Sequence, residues 1–423
     1  MLKEVRIENY KSIQKLKLEL GRVTVLIGEN GCGKSNILEA IALASAAADD
    51  KLDNEFLASR GIRVTEPQFM RSAFEIDNLI KDIKIDLKEK DGDKFSCILH
   101  NDNSPYSQWV NKNIVSAPEI YWENVDSNSG KAEDIILIED SQEISETLKK
   151  ETFQKKPNKT LKIKLENFRF SLGIEGEKEE QVEKNIALLF KKIGWSNFFY
   201  NSKLIKFTIF SPENQALRTF EKEGQIQPLG INGEGLFKLI KLLNSETNQD
   251  KLNQIKEKLR LIDWFRDFEV PEDLSPLQSS LQIKDKYLDI DLTYFDQKSS
   301  NEGFLFLLFY FALFISDLTP KFFAIDNIDA SLNPRLCRRL MQELVELAKK
   351  HEKQVIFTTH NPAVLDGLDL HDDEQRLFAI YRNQLGHTKA RRILKPEPLE
   401  GQEPVKLSEA FLRGYIGGLP KNF

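Results

Sequence analysis

One glycine-rich run constrains this chain more than any other stretch: residues 28–35 are Gly-Glu-Asn-Gly-Cys-Gly-Lys-Ser. The run fits the pattern Gly-x-x-x-x-Gly-Lys-Ser/Thr. Before it, Val23–Ile27 is short, apolar and β-branched, as in a buried strand, and after it residues 36–43 place apolar side chains at helical spacing. Strand, glycine loop and helix in this order predict an α/β fold built around a phosphate-binding loop.

The loop residues have distinct chemical roles in that prediction. Glycines let backbone N–H groups approach a phosphate closely, and the following helix adds the positive end of its dipole. Lys34 is predicted to bridge the β- and γ-phosphates of a nucleoside triphosphate, and the Ser35 hydroxyl to bind Mg²⁺. A chance Gly-Lys-Ser in an ordinary turn is the alternative, which the flanking pattern disfavours. The residues predicted to contact the nucleotide here are Asn30, Gly31, Cys32, Gly33, Lys34, Ser35 and Asn36.

Composition limits the class of protein. A chain of 423 residues with 40% hydrophobic content can bury a large core and form two subdomains. Its net charge of −6 gives no overall attraction to nucleic acid, so a DNA contact requires a local basic surface. Cys32, Cys97 and Cys337 form no Cys-x-x-Cys pair, which argues against a disulfide framework or zinc site and fits a reducing cytoplasm.

No membrane segment is expected. The first residues are charged and strand-like, unlike a signal peptide. The longest apolar run, 304–315, is shorter than the roughly 20 residues that cross a bilayer, so it predicts a buried core helix.

The α/β pattern is interrupted by a long insertion. Residues 1–53 are predicted to be the first lobe of an ATPase-like head, 54–290 an inserted lid whose part from about 205 returns to the head, 291–395 the second lobe, and 396–423 a tail. Some aromatic and basic residues of the insertion fit a nucleic-acid surface, although core anchors and a solvated face are the commoner explanation. These residues are Trp109, Trp122, Lys155, Lys156, Lys159 and Lys162.

Polar residues follow the apolar segments of the second lobe. The apolar strand predicted over 321–326 ends in Asp326, and the one over 354–360 ends in His360. A polar segment, 299–303, precedes the apolar run. In this order, and with the phosphate loop, these motifs resemble the RecF/SMC/OLD branch of ABC-class ATPases, in particular the stand-alone bacterial AAA-family ATPases of phage-defence and repair operons, such as Septu-like and PARIS-like systems.

Three further motifs carry the resemblance. Residues 7–13, Ile-Glu-Asn-Tyr-Lys-Ser-Ile, look like the I-x-N-F-(K/R)-S start of that branch, and 325–334 are similar to its I-D-E-P-E-x-x-L-H-P. Residues 230–236 look like its glycine-bearing turn before a helix. The resemblance covers residues 1–45 and about 205–395. It implies an ABC-type P-loop ATPase head, a mixed sheet with flanking helices, carrying a long inserted, mostly helical α+β lid.

The resemblance also implies roles for single residues. Asp326 would order Mg²⁺ through water, and His360 would contact the γ-phosphate of ATP. Ser300 and Gly303 would face the γ-phosphate bound by the opposite protomer, although the family spacing is Ser-x-Gly and one residue is extra here. A simpler interpretation is that Ser299 or Ser300 caps the following helix.

A glutamine-bearing loop is also expected after the first lobe, where Gln68 is the available glutamine.

One departure from the family concerns catalysis. The residue after the Mg²⁺ aspartate is normally the glutamate that polarises the attacking water, and here it is Asn327. An amide cannot accept a proton, so general-base assistance worth roughly 10²–10⁴-fold would be missing unless Asp329 supplies it. The predicted catalytic set of Asn327, Asp329 and His360 therefore implies slow hydrolysis, with ATP acting mainly as a dimerising ligand.

Two functions remain open. The first is a regulatory ATPase of a bacterial anti-phage defence system, dimerised or further assembled through an ATP sandwich, which controls a separately encoded nuclease or toxin effector. The second is a RecF-like repair ATPase that clamps on DNA. A self-contained nuclease of the OLD type is disfavoured because few residues follow His360 and they contain no paired-carboxylate motif. A transporter ATPase is disfavoured by the long insertion.

Overall fold

The structure is a computed structural model that describes residues 1–90, 92, 94–112, 119–124, 159–165, 168–174, 206–220, 228–271, 280–289, 291–395 and 405–419. Several predictions fall elsewhere. Lys155 and Lys156 lie outside the described residues, as do the side chains of Trp122, Lys159 and Lys162. Residues 181–193, whose apolar spacing predicts a helix, lie outside them too.

The strands of the described residues are, in chain order, β1 (Leu2–Tyr10), β2 (Ile13–Glu19), β3 (Val23–Ile27), β4 (Ile83–Glu89), β5 (Lys94–His100), β6 (Val110–Asn111), β7 (Glu119–Asn124), β8 (Lys159–Leu165), β9 (Phe168–Ile174), β10 (Ile209–Phe210), β11 (Phe265–Glu269), β12 (Gln282–Asp285), β13 (Phe295–Asp296), β14 (Phe322–Ile325), β15 (Gln354–Thr359), β16 (Gln375–Arg382) and β17 (Thr388–Ile393). The α-helices are α1 (Lys34–Ala48), α2 (Asn54–Ser59), α3 (Pro67–Met70), α4 (Asn214–Thr219), α5 (Leu236–Leu243), α6 (Gln249–Leu259), α7 (Glu302–Ile315), α8 (Pro334–Lys350) and α9 (Leu407–Leu412). Short 3₁₀ helices span Ile76–Leu79, Glu246–Asn248 and Pro362–Gly367.

The chain divides into two compact units. The first comprises Met1–Gly92, Ser96–Asn111 and Ser202–Phe423, and the second comprises Asp93–Phe95 and Lys112–Asn201. In the second unit β7, β8 and β9 form an antiparallel three-stranded sheet. The predicted boundaries of lobes, lid and tail stay a prediction.

A six-stranded sheet forms the centre of the first unit, in the order β10-β14-β15-β3-β16-β17. The strands from β10 to β16 run parallel to their neighbours, and β17 is antiparallel to β16. Every residue of β3 and β15 is buried, as expected for central strands covered on both faces. This explains why the sequence shows continuous apolar runs at these strands rather than alternation.

A second sheet has the order β2-β1-β4-β5-β6. The antiparallel pairing of β1 with β4 sets Ile7 opposite Ile85, and β4 alternates strictly between buried and exposed residues. One face of this sheet is therefore apolar, which is typical of a half-covered antiparallel sheet. The pairing also places residues 83–89, from the predicted insertion, in one sheet with the first strand of the chain.

Helix α7 confirms the predicted core helix. All residues from Phe304 to Ile315 are buried, and the Phe314 ring lies 5.2 Å from Phe323 and 6.2 Å from Phe357, both on central strands. No helix in the described ranges has the length and hydropathy needed to cross a bilayer.

Two segments are shorter than their apolar patterns predict. Residues 251–265 have the spacing of one helix, but the helix ends at Leu259, and Phe265 begins β11, which pairs with β12. Buried Phe265 and Phe268 are three residues apart, as on a helix, so the spacing alone does not reveal the change to a strand. Residues 206–210 have the pattern of a strand, and the strand spans Ile209–Phe210.

Candidate functional site

The site forms where three neighbouring parallel strands end. Strands β14, β15 and β3 are adjacent, and the carboxyl ends of parallel strands meet at one edge of a sheet. The phosphate loop follows β3, Asp326 follows β14, and His360 follows β15. The topology therefore brings together three motifs that are separated by about three hundred residues of sequence.

The loop glycines are required by close packing. Gly33 has φ of 105°, and a β-carbon there would lie 2.2 Å from the Thr388 hydroxyl oxygen and 2.8 Å from that of Ser12. A β-carbon at Gly28 would lie 2.2 Å from the carbonyl oxygen of Ile380. Side chains at either position would displace the loop, so the backbone can keep its close curvature only with glycine.

Lys34 is buried at the first position of α1. Its Nζ donates to the carbonyl oxygens of Gly28 at 2.9 Å and Glu29 at 3.0 Å. Burial lowers its pKa, and nearby negative groups, Asp326 and Asp329 among them, act in the opposite direction. The ammonium group thus lies close both to the loop carbonyls and to the charges of Asp326 and Asp329. Its contact with the β- and γ-phosphates stays a prediction.

Ser35 and Asp326 form a pair of hard oxygen ligands. The Ser35 Oγ donates to Asp326 Oδ2 at 2.9 Å, and Thr358 donates to the other carboxylate oxygen. Adjacent oxygens around an octahedral Mg²⁺ are separated by about this distance, because each lies about 2.0–2.1 Å from the ion, so the pair fits the ion or its bound water. The described residues contain no cluster of three His, Cys, Asp or Glu side chains that could hold a metal. Mg²⁺ in phosphate sites usually takes its other ligands from water and substrate.

The residues after Asp326 form a tight turn. Asn327 is exposed and has φ of 57°, in the left-handed region that asparagine adopts more readily than most residues. Its backbone N–H donates to Thr358 Oγ1 at 2.9 Å. Asp329 turns back toward β15, where the Thr359 hydroxyl donates to its Oδ1 at 2.6 Å. Asp326 and Asp329, the two aspartates whose charges act on Lys34, thus each accept a hydrogen bond from a threonine of β15.

His360 lies beside the phosphate loop. Burial lowers its pKa, and the positive charge of Lys34 lowers it further, while a backbone hydrogen bond with Gly28 and the charge of Asp329 act in the opposite direction. The imidazole is therefore mainly neutral at pH 7 in the absence of a phosphate. His360 therefore lies next to Gly28 of the phosphate loop, and its contact with the γ-phosphate stays a prediction.

The segment before α7 differs from expectation. Asn301, and neither Ser299 nor Ser300, caps this helix, with its side-chain oxygen accepting from the Phe304 N–H at 2.8 Å. Ser300 is buried, and its hydroxyl has no hydrogen-bond partner among the described residues. Asn301 is exposed and stands two residues before Gly303, the spacing that serine has in the family's Ser-x-Gly pattern. The predicted contact of Ser300 and Gly303 with a partner's nucleotide stays a prediction.

A buried carboxylate supports the cationic side of the site. Glu39, on α1, is 2% exposed and accepts from Tyr10 Oη at 3.2 Å, Lys11 Nζ at 2.5 Å and Arg63 Nε at 2.5 Å. Burial tends to lower the pKa of Arg63, but Glu39 outweighs this and raises it. Arg63 also donates to Asn36 Oδ1 at 2.9 Å. Glu39 thus fixes two cations from distant segments beside the helix that follows the phosphate loop.

A cavity of about 380 Å³ opens next to these groups. Cationic and aromatic side chains dominate its lining: Lys11, Arg63, Arg71, Arg382, Phe69 and Phe74. Arg382, one of the lining residues, contacts the phosphate loop, because its Nε donates to the Gly31 carbonyl at 2.8 Å. Its size lies in the range of small-molecule sites.

Comparison with models of known protein families identifies the family of this chain. The model of the AAA ATPase domain family matches residues 1–365. The chain belongs to the AAA ATPase domain family. With its phosphate loop and mixed parallel sheet, the fold is that of an ABC-type P-loop ATPase head, as predicted.

Individual relatives of this AAA ATPase domain match short segments. The DNA double-strand break repair Rad50 ATPase of Methanocaldococcus jannaschii is 30% identical over 112 residues, 26% of this chain and 10% of that protein. The OLD nuclease of Thermus scotoductus is 29% identical over 87 residues, 18% and 16% of the two chains. The DNA replication and repair protein RecF of Bacillus thuringiensis is 36% identical over 55 residues, 13% and 15%. The matches span less than a fifth of each of these three proteins.

Solved structures similar to this chain include SMC heads. The SMC head bound to the C-winged helix domain of ScpA covers 93% of this chain and 98% of its own, with 13% identity and a TM-score of 0.49. The SMC head domain from Thermotoga maritima covers 93% and 98%, with 14% identity and a TM-score of 0.40.

Sequence reasoning missed several groups of this AAA ATPase domain. Glu39 was hidden in an apolar helical run, and Thr358 and Thr359 stood within a buried strand. The motif at residues 7–13 contains Lys11 and Ser12 but predicts no site role for them. In the structure Ser12 Oγ accepts a hydrogen bond from Asn36 Nδ2 at 2.7 Å.

The role of Gln68 as the glutamine of a loop after the first lobe stays a prediction. In the structure its side-chain amide donates to the Glu66 carboxylate at 2.8 Å.

Proposed function

We propose that this chain binds Mg·ATP at the edge formed by β3, β14 and β15, and that ATP then joins two copies of the chain. The observation that carries the proposal is the Ser35–Asp326 hydrogen bond of 2.9 Å, which joins the two lobes beside Lys34. Lys34 supplies the charge for the β- and γ-phosphates, while Ser35 and Asp326 hold Mg²⁺ or its water. When bound, Mg²⁺ would neutralise part of the negative charge of the phosphates.

The joining of two copies rests on the exposed polar residues around the γ-phosphate position. Asn301 and Gly303 lie at the start of α7, and a β-carbon at Gly303 would lie 3.7 Å from Leu332, in the turn after Asp329. The segment before α7 and this turn thus form one surface. A γ-phosphate bound by one copy would meet this surface on the other copy, and a ligand shared across an interface stabilises that interface by mass action.

The biological role follows from slow turnover. With Asn327 at the position of the usual glutamate, the ATP-bound pair persists and acts as a signal, which suits a regulator of a separately encoded nuclease or toxin in phage defence. The alternative is a repair ATPase that clamps on DNA, and the names of the Rad50 and RecF relatives favour it. DNA binding that requires ATP, measured by fluorescence anisotropy with a duplex, would support the second function. ATP-dependent capture of the product of a neighbouring gene would support the first.

Light scattering tests the shared part of both roles. With Mg·ATP the wild type should double its mass, while ADP should leave it unchanged. Lys34→Ala should abolish the response, and Asn301→Ala should weaken it more than Ser299→Ala, an exposed control in the same segment. Equal assembly with and without nucleotide would contradict the proposal.

A further inference from the structure

The cavity beside the phosphate loop exposes two phenylalanine rings among cationic groups. Phe69 is 56% exposed and Phe74 is 43% exposed, and both line the cavity with Arg63 and Arg382. Large aromatic residues usually bury their rings, since each contributes 150–250 Å² of contact area. Exposed aromatic rings beside positively charged side chains are typical of surfaces on which nucleobases stack.

Phe74 is held in place by the β16–β17 hairpin. Its ring meets the His387 ring edge-to-face at a centroid distance of 5.4 Å. A β-carbon at Gly386, where φ is 80°, would lie 3.0 Å from the Phe74 ring, so the hairpin tip packs directly against it. The ring is thus fixed on one side although much of its surface is open.

Arg382 links this ring to the triphosphate end of the site. Its guanidinium carbon lies 5.6 Å from the centre of the Phe74 ring, and its Nε donates to the Gly31 carbonyl at 2.8 Å. A nucleotide whose phosphates occupy the phosphate loop therefore has its base within reach of Phe74. We infer, on the basis of the proposed nucleotide site, that Phe74 is the stacking surface for the nucleobase.

Stacking on a ring does not depend on which base is bound, because every base has a π-face. Removal of the Phe74 ring should therefore weaken the binding of ATP and of GTP.

Calorimetric titration of the full chain with Mg²⁺ complexes of ATP, GTP and tripolyphosphate tests this inference. Phe74→Ala should weaken the binding of ATP and of GTP by about 5- to 150-fold, the range for loss of one stacking contact, and leave tripolyphosphate binding unchanged. Phe74→Trp should keep nucleotide affinity. Ile80→Ala removes a 75% exposed apolar side chain outside the cavity and should change nothing.

Unaltered nucleotide affinity in Phe74→Ala, or an equal loss of tripolyphosphate affinity in this variant, would overturn the inference. Either result would leave the proposed function standing as long as Lys34→Ala still abolishes binding. Absence of wild-type affinity for every triphosphate would overturn both. Circular dichroism of Phe74→Ala checks that lost affinity does not come from unfolding.

Discussion

Two buried lysines of this ATPase head carry the same charge in opposite circumstances. Lys353 is fully buried, and its Nζ donates to the carbonyls of Ser316, Thr319 and Pro320 and to the Thr319 hydroxyl, at 2.8–3.1 Å. Burial lowers its pKa to about 7. Lys34 is buried too, and burial lowers its pKa, but its oxygen acceptors are the two loop carbonyls of Gly28 and Glu29.

The difference lies in how many donors remain. An ammonium group has three N–H donors. Lys353 has four acceptors around them, so it fastens the chain after α7 to the start of β15 and has nothing left for a ligand. Lys34 directs its third contact only to the Cys32 sulfur, a weak acceptor 4.0 Å away, and it lies near Asp326 and Asp329, whose charges a magnesium nucleotide would bridge. Burial of a lysine alone therefore does not mark a site, whereas a weakly bound donor beside opposite charges does.

Replacement of Lys353 should have the largest effect on stability. Lys353→Met leaves several buried acceptors unpaired, and we expect a loss of about 3–5 kcal/mol in the free energy of unfolding. Because the folded-state pKa of about 7 lies below that of the unfolded chain, the wild type should gain stability relative to the variant as pH rises from 7 to 10. Urea unfolding at several pH values measures both. A loss below 1 kcal/mol would show that Lys353 is no structural anchor.

Asn327 tests whether the Lys34 edge is built to hold ATP rather than to cleave it. Asn327→Glu restores a proton acceptor and should raise phosphate release by on the order of 10²-fold, from a wild-type rate well below the median of about 10 s⁻¹. The left-handed backbone at this position costs glutamate about 1 kcal/mol of stability. Asn327→Asp is the matched control, since it adds a shorter carboxylate that tolerates this backbone.

If Asp329 already serves as the base, Asn327→Glu should change little and Asp329→Ala should remove the residual rate. Fast wild-type hydrolysis that survives Asp329→Ala would contradict both versions.

Glu39 shows whether the cationic groups around Lys34 depend on one carboxylate. Glu39→Gln keeps the shape but removes the charge that holds Lys11 and Arg63, and we expect ATP affinity to fall by about 1–2 kcal/mol. Calorimetry measures this change, and thermal unfolding separates it from a loss of stability. Lys15→Gln, at an exposed lysine of β2, is the control. Unchanged ATP affinity in Glu39→Gln would show that the two cations hold their positions without it.

The smallest expected effect is proton uptake by His360 when ATP binds. His360 starts with a lowered pKa, and a γ-phosphate beside it would raise that pKa. ATP binding should therefore take up a fraction of a proton near pH 6.5, and ATP affinity relative to ADP should rise as pH falls between the two pKa values. Titrations in buffers of different ionisation heat detect the uptake, which His360→Gln should remove. Equal uptake in this variant would place the proton elsewhere.

Much of the Lys34 edge could be predicted because its parts are local in sequence. The phosphate loop, the strand ending at Asp326 and the strand ending at His360 each carry their own apolar run and polar terminus. Other features depend on packing between distant segments. Arg382 reaches Gly31 only because β16 lies beside β3, and the choice of Asn301 as helix cap over two neighbouring serines depends on which residue the core buries.

The most direct test of the account is calorimetric titration of Mg·ATP into wild type and Lys34→Ala, with thermal unfolding of both proteins. The account predicts that Lys34→Ala loses at least about 100-fold in affinity, because a charge between two phosphates is removed, while its melting temperature stays close to that of the wild type. Unchanged affinity in a folded Lys34→Ala protein would contradict the central claim that this lysine, unlike Lys353, is reserved for a nucleotide.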